Sequence, residues 1–230
     1  MPDRTVLVSG GSGGLGSAVV DAFAEAGWRV VVPDVAPGQD AREGVERVTA
    51  DLTDPDDVAR ALRVALADEG APLRAVAHVI GGFAAGQPVA ETPLAEFEAQ
   101  FALNVRPAYL ICQAALPPLA AGGGGAICCV SSRAALHPFA GAAGYCASKA
   151  ALIALARVVA REGAPDGVRC NVVMPSQIGT RAMLASTPAE EHGSLVPPAE
   201  VARVIRFLCG EESAPTNGAA VPVYGAGMPV

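Results

Sequence analysis

The chain is short of almost everything that would tie it to nucleic acid, to a metal or to an oxidising compartment. Of its 230 residues only 4% are aromatic and 17% charged, and its sixteen basic residues include a single lysine, Lys149. A formal net charge of −7, with no basic cluster to offset it, argues against nonspecific nucleic-acid binding. The six cysteines (112, 128, 129, 146, 170 and 209) form no CxxC pair and do not group with the three histidines at metal-ligand spacing. Buried free thiols in a reducing compartment are expected, and no metal site. No uninterrupted apolar run reaches spanning length, since the most apolar stretch, 107–121, is broken by Gln113 and Pro117-Pro118. MPDRTVLVSGG lacks a charged segment leading into a long apolar one, so no secretory leader is expected. These absences predict a soluble, cytoplasmic protein that spans no membrane.

What is abundant is hydrophobic sequence, 51% of the chain, in short runs separated by helical patterns. Strands are expected at 5–9, 28–33, 45–50, 74–80, 125–132, 168–174 and 219–224. Helices are expected at 14–26, after the acidic Asp54–Asp57 run, at 93–116 with Thr92 as N-cap and Pro93 at N1, at 144–162 and at 197–210. The segment 34–44 is too short for a crossover helix and reads as a loop or a single turn. Seven strands alternating with helices predict a single α/β domain over 1–230, built on a doubly wound, seven-stranded parallel sheet with helices on both faces.

SGGSGGLG (9–16) lies between the first strand and the first helix. Gly10, Gly14 and Gly16 allow a tight turn, close approach to a pyrophosphate and close packing of helix on sheet, while the helix N-terminus offers unpaired N–H groups. A plain tight turn is the competing reading. Asp34 closes the second strand, where a carboxylate accepts hydrogen bonds from ribose hydroxyls and repels a 2′-phosphate. Neither Gly13 nor Val35 supplies a cation for that phosphate, which favours NAD(H) over NADP(H). Asp34 as a turn former ahead of Pro37-Gly38 is the alternative.

In GYCASKAAL (144–152), Tyr145 and Lys149 are four residues apart and share one helix face. Hydride transfer to a carbonyl carbon needs a proton for the oxygen, and a tyrosine supplies it if nearby cations lower its pKa from about 10. A compact ammonium can lie beneath a phenol and still bond ribose hydroxyls, which the guanidinium fork cannot do in the same space. A surface lysine is the bland alternative.

With these residues in place, the chain resembles the short-chain dehydrogenase/reductase family from about residue 4 to 227, in the family's motif order. The resemblance implies a Rossmann fold and a nicotinamide cofactor contacted by Gly10, Ser12, Gly13, Gly14, Leu15, Gly16, Asp34, Asp51, Leu52, Gly81, Tyr145 and Lys149. Asp51 of DLTD matches the adenine-contacting aspartate. NVVMPSQIGT (171–180) matches the segment whose Pro175, Ile178 and Thr180 embrace the nicotinamide. It implies a catalytic set of Asn104, Ser132, Tyr145 and Lys149, with Ser132 preferred over Ser131 by its thirteen-residue offset from Tyr145. Asn104 would position a proton-relaying water, or is simply a polar-face asparagine. Relatives are usually tetramers or dimers paired through the helices here spanning 93–116 and 144–162.

Arg133, His137, Phe139, Gln177, Arg181 and Met183 flank these positions and are candidate substrate-lining residues, Arg133 and Arg181 for an anionic group. His78 and His192 are expected to be structural or solvent-exposed.

The chain departs from the family's Asn-Asn-Ala-Gly with His78-Val79-Ile80-Gly81, and Ser176 replaces a glycine after Pro175. The substrate lid, about 181–196, is short. GGFAAG (81–86) is similar to dihydropteridine reductases, a subgroup lacking the serine found at 132.

The expected function is NAD(H)-dependent interconversion of an alcohol and a carbonyl on a small or medium-sized molecule, with Tyr145 as general acid/base. A dihydropteridine-reductase-like enzyme, a non-catalytic dinucleotide sensor and a dehydratase or epimerase on the same fold are the alternatives. The retained tetrad favours simple redox chemistry.

Overall fold

Short apolar runs rich in valine and alanine form strands when both their faces can be covered, and seven such runs pair side by side in parallel here. The computed structural model describes residues 2–36 and 42–225. Its strands are β1 (Thr5–Ser9), β2 (Arg29–Asp34), β3 (Val45–Thr49), β4 (Leu73–His78), β5 (Gly125–Val130), β6 (Val168–Pro175) and β7 (Ala220–Val223). All pair in parallel in the order β3-β2-β1-β4-β5-β6-β7. Every residue of β1 is buried, as expected for a strand covered on both faces. Of the 34–44 connection the described part carries no helix; the Pro37-Gly38 pair lies outside the described residues.

The helices are α1 (Gly14–Glu25), α2 (Pro55–Ala65), α3 (Leu94–Asn104), α4 (Arg106–Ala121), α5 (Ala143–Gly163), α6 (Arg181–Ser186) and α7 (Pro198–Cys209). On one face of the sheet Val6, Val8, Val30, Val32, Cys128 and Val173 pack with Phe23 of α1 and Ile205 of α7. On the other, Leu7, Val31, Val76, Ile127 and Val172 pack with Leu62 of α2, Ile111 and Leu119 of α4, and Ile153 of α5. All six cysteines are free and buried, five in these layers and Cys146 in a small separate cluster with Ala134 and Ala142. Helix α5 and the turn after it are long and apolar enough to cross a bilayer by length and composition, but half of that stretch is buried inside the protein. It is a core helix, its apolar character explained by what covers it.

Three expectations about the middle of the chain need correction. The single helix expected over 93–116 is two, separated at Val105. Pro107 has no N–H to bond the preceding turn and disfavours helical backbone before it, which kinks the chain. Pro93 is the N-cap rather than the first helical residue, while the Thr92 hydroxyl donates to Gln87 and Pro88 carbonyls in the turn before. At the other end the helix runs through Pro117-Pro118 to Ala121. Ile111, Cys112, Ala115 and Leu119 continue one buried stripe across the prolines, and burying Leu119 holds the last turn in place.

The strand order reverses between β1 and β4. In open α/β sheets such a switch point leaves a crevice beyond the strands' C-terminal ends, where ligands bind. The loop after β1 and the irregular segment 79–93 after β4 flank that crevice.

Candidate active site

The crevice floor is backbone. After Ser9 the chain turns at Gly10, whose φ of 70° is unfavourable for a residue with a Cβ. A Cβ on Gly16 would lie 1.8 Å from the Gly10 carbonyl oxygen, so α1 can meet the loop only through glycine there. Gly13 is the N-cap of α1 and no side chain caps the helix. Ser12, Gly13 and Gly14 face solvent, whereas Leu15 and Gly16 are buried. An uncapped N-terminus lined by glycine suits an incoming pyrophosphate, and these residues fit a dinucleotide. Thr180, at the start of the lid, lies over Gly14, where an added Cβ would meet its side chain at 2.8 Å.

Beside this floor, the Ser12 hydroxyl donates to the Asp34 carboxylate. Arg47 of β3 donates from Nη1 to the Ser12 oxygen at 3.0 Å and lies 3.9 Å from Asp34. Its Nε is buried without a partner among the described residues. Reading only Gly13 and Val35 for a cation therefore missed one: parallel pairing of β2 with β3, Val32 opposite Arg47, delivers it from thirteen residues beyond Asp34. Nothing local in VERVT marks this role, because Arg47 reaches Asp34 only through the pairing of β2 with β3. Asp51 is engaged locally, accepting from the Thr53 N–H at 2.9 Å and its hydroxyl at 2.8 Å, contacts that lower its pKa. The Leu52 side chain belongs to the core, leaving its backbone for any ligand.

The missing asparagines of the β4 end have a substitute. The His78 ring hydrogen-bonds Ser9 Oγ at 3.0 Å, and that oxygen accepts the Val79 N–H at 3.1 Å, tying β4 to the start of the glycine loop. Burial pushes the His78 pKa down to about 4, so the ring is neutral.

Across the crevice stand the four expected catalytic residues. Lys149 is buried, and its ammonium donates to the Val130 carbonyl at 3.1 Å and lies 5.9 Å from the centroid of the Tyr145 ring. The Ser132 hydroxyl lies close enough to Tyr145 to pull its pKa down and accepts the Ala134 N–H at 3.2 Å, while the rival Ser131 donates to the Lys149 carbonyl at 2.7 Å and is occupied in anchoring α5. Asn104, at the kink between α3 and α4, accepts the Gly82 N–H at 2.9 Å and donates to the Gly82 carbonyl at 3.2 Å and Ser148 at 3.1 Å. Ser148 in turn donates to the Tyr145 carbonyl at 2.8 Å. A Cβ on Gly81 would come within 2.8 Å of both Asn104 Oδ1 and Lys149 Nζ, so the two polar ends converge on that glycine.

The electrostatics differ from the simple expectation of a lowered tyrosine. Burial raises the Tyr145 pKa, opposed by the Ser132 hydrogen bond. Burial also brings Lys149 down to about 8. In the protein alone, desolvation of the phenol therefore outweighs the pull of the Ser132 hydroxyl.

Pro175 is buried at the end of β6, and Ile178 pairs with Val196 in a parallel bridge that folds the lid back beside it. Within the lid, His192 Nε2 contacts the Leu184 and Thr187 carbonyls at 3.1 and 2.9 Å. Ser176 donates to the Tyr224 carbonyl at 3.1 Å, joining the ends of β6 and β7. Of the candidate substrate residues, His137, Gln177 and Arg181 are exposed, and none has a side-chain hydrogen bond among the described residues. Met183 is half-buried and its N–H caps onto Thr180 at 3.3 Å. Arg133 stacks on Tyr224, 5.7 Å from the ring centroid. Phe83, which the sequence reading passed over, sits edge-on to Tyr145 at 4.9 Å with Phe139 6.5 Å behind it. It comes from the long loop after β4, so only the tertiary fold brings it there.

A family model described as enoyl-(acyl carrier protein) reductase matches residues 10–227. The 2-(R)-hydroxypropyl-CoM dehydrogenase of Xanthobacter autotrophicus is 34% identical over 248 residues, spanning 97% of this chain and 98% of its own. Among solved structures, ElxO with NADP bound has a TM-score of 0.90 at 22% identity over 98% of both chains. The 3-ketoacyl-(acyl-carrier-protein) reductase from Brucella melitensis complexed with NADH has a TM-score of 0.88 at 24% identity over 99% of both. At that identity the two structures speak to the fold, whereas the family match and the dehydrogenase relative speak to ancestry. With its seven-stranded parallel sheet and its crevice at the β1–β4 switch point, the chain belongs to the short-chain dehydrogenase/reductase family of oxidoreductases.

Proposed function

We propose that the protein interconverts an alcohol and a carbonyl on a small or medium-sized molecule with a nicotinamide dinucleotide, NAD(H) in preference to NADP(H). The observation that carries this reading is the convergence of Tyr145, Ser132, Lys149 and Asn104 on one side of a crevice whose other side is the bare N-terminus of α1. Gly10, Gly13, Gly14 and Gly16 would hold the pyrophosphate with backbone N–H groups, Asp34 the adenosine ribose, and Pro175, Ile178 and Thr180 the nicotinamide. When bound, that ring supplies or accepts the hydride.

The chain's residues manage the proton. In reduction, Tyr145 gives its phenolic proton to the carbonyl oxygen as the carbon gains the hydride, and the product is the alcohol. Ser132 donates to the same oxygen and stabilises its developing charge. The phenolate left on Tyr145 is stabilised by the Lys149 ammonium, which is the major form below about pH 8. Oxidation runs the same steps in reverse. Asn104 holds Gly82 and, through Ser148, the Tyr145 backbone, so it fixes the distance between loop and catalytic helix.

NAD preference rests on Asp34, whose carboxylate would repel a 2′-phosphate; Arg47 moderates that repulsion, which makes cofactor choice a balance of two residues. Six buried thiols fit a reducing cytoplasm. Half-exposed Tyr109 of α4 and Val158 of α5 fit self-association into a dimer or tetramer through those helices.

The test is oxidation of NADH and NADPH followed at 340 nm against a panel of ketones and aldehydes, with Tyr145→Phe alongside. The variant should lose at least about 10²–10⁴-fold in turnover while binding NADH as tightly as wild type. Unchanged turnover in Tyr145→Phe would refute the mechanism. Dinucleotide binding without turnover of any substrate would favour the sensor, and tighter binding of NADPH than NADH would overturn the role given to Asp34.

A further inference from the structure

We propose that Arg133 is an anion-binding residue of the substrate site, so that the substrate carries a carboxylate, sulfonate or phosphate on an apolar body held by Phe83 and Phe139. The inference rests on the oxidoreductase reading above and narrows it to a substrate class.

Four half-buried arginines elsewhere in the chain have their guanidinium groups committed, while Arg4 and Arg47, each beside an aspartate, also keep a buried Nε without a partner. Arg29 pairs with Glu46, Arg60 bonds the Thr49 carbonyl, Arg74 the Gly122 carbonyl, and Arg169 the carbonyls of Leu208, Gly210, Ser213 and Thr216. Arg133 is half-buried too, yet makes no hydrogen bond or ion pair to any described residue, and its Nε is shut away from solvent without an acceptor. Desolvating a donor on a charged group without a partner is costly, so such a site is stabilised when an acceptor arrives.

The position says where that acceptor comes from. Arg133 follows Ser132 directly, and its guanidinium stacks on Tyr224, whose carbonyl is bonded to Ser176 beside Pro175. It therefore lies over the C-terminal ends of β5, β6 and β7, next to the serine that faces the reacting oxygen. A guanidinium lying over an aromatic face, 5.7 Å from its centroid, gains a cation–π attraction that uses none of its N–H groups, which stay available for a planar or tetrahedral anion. Lys149 cannot serve this need, being buried and bonded to Val130.

The apolar part follows from the aromatic pair. Phe83 and Phe139 are 62% and 50% exposed, although Phe83 packs edge-on against Tyr145. Large apolar rings left in solvent at the side of a catalytic hydroxyl are suited to covering an alkyl or aryl group. A cation on one side and phenylalanines on the other select an amphipathic anion.

The experiment compares 4-acetylbenzoate and 4-acetylbenzenesulfonate with neutral 4-methylacetophenone, using NADH and the wild type, Arg133→Met and Arg133→Lys proteins. In the wild type, kcat/KM for the two anionic ketones should exceed that for the neutral one at least about tenfold. That ratio should fall by about tenfold or more in Arg133→Met, mainly through KM, and recover in part in Arg133→Lys. Because the readout is a ratio within each protein, a general loss of activity cancels. If NADH binds but no ketone turns over, titration of the NADH complex gives the same ratio as dissociation constants. A ratio unmoved by Arg133→Met, by either measurement, overturns the anion site. Failure of both NADH and NADPH to bind overturns the oxidoreductase reading itself.

Discussion

The two ends of the crevice are built on opposite plans. At the dinucleotide end the surface is main chain with a small polar cluster beside it: glycines, an uncapped helix and the Ser12–Asp34–Arg47 set. At the catalytic end the groups are side chains taken out of water, with Asn104, Ser148 and Lys149 all buried. The first plan tolerates sequence change wherever backbone shape survives. The second depends on individual atoms, because each desolvated polar group must keep its partner. On the proposed mechanism, anchoring is a property of the chain path and chemistry a property of four side chains.

The sharpest way to break that contrast is at Lys149. Replacing it with methionine should cost about 10³-fold in turnover by removing the cation that stabilises the phenolate. The same change should raise stability at pH 7. Burial brings the Lys149 pKa to about 8 from its ordinary 10.5, so between those values the unfolded chain binds more protons than the folded one. Wild-type stability should therefore rise with pH across that window, and below it the folded state carries the whole cost of a buried ammonium. Set against the lost Val130 bond, the net gain for Lys149→Met near pH 7 is about 2 kcal/mol. Urea melts at pH 7 and 10 check both points; a variant less stable than wild type at pH 7 would contradict them.

At the backbone-built end, Gly16→Ala should weaken NADH binding by about 10²-fold, measured by fluorescence titration. Its Cβ must displace the Gly10 carbonyl and thereby the loop. Arg47→Met should act more gently, lowering the ratio of NADPH to NADH affinity about tenfold by exposing a 2′-phosphate to an unopposed Asp34 carboxylate. The smallest effect is expected for Ser9→Ala, which removes the bond from His78 that ties the end of β4 to the start of the glycine loop. Its cost of about 1 kcal/mol corresponds to a drop of roughly 2–4 °C in Tm.

Much of this arrangement was legible before folding. The glycine loop, Asp34 and the Tyr145–Lys149 spacing are local patterns, and strand positions followed from short apolar runs that water would reject. The kink at Val105 was also present in principle, since Pro107 stands just beyond it, but the long apolar stripe suggested a continuous helix. Arg47 and Phe83 were not legible. Each acquires its meaning from a neighbour that is distant along the chain, Asp34 through strand pairing and Tyr145 through the fold of the loop after β4.

The sequence by itself determined the alternation of strand and helix, the glycine loop ahead of the first helix and the pairing of a phenol with the chain's one lysine, because each rests on residues within a few turns of one another. Tertiary structure alone decided what surrounds them: a guanidinium beside Asp34, a phenylalanine against Tyr145, and an arginine without an acceptor next to Ser132. It also decided the direction of the pKa shifts at Tyr145 and Lys149, because desolvation depends on everything packed around a group and on no single neighbour in sequence.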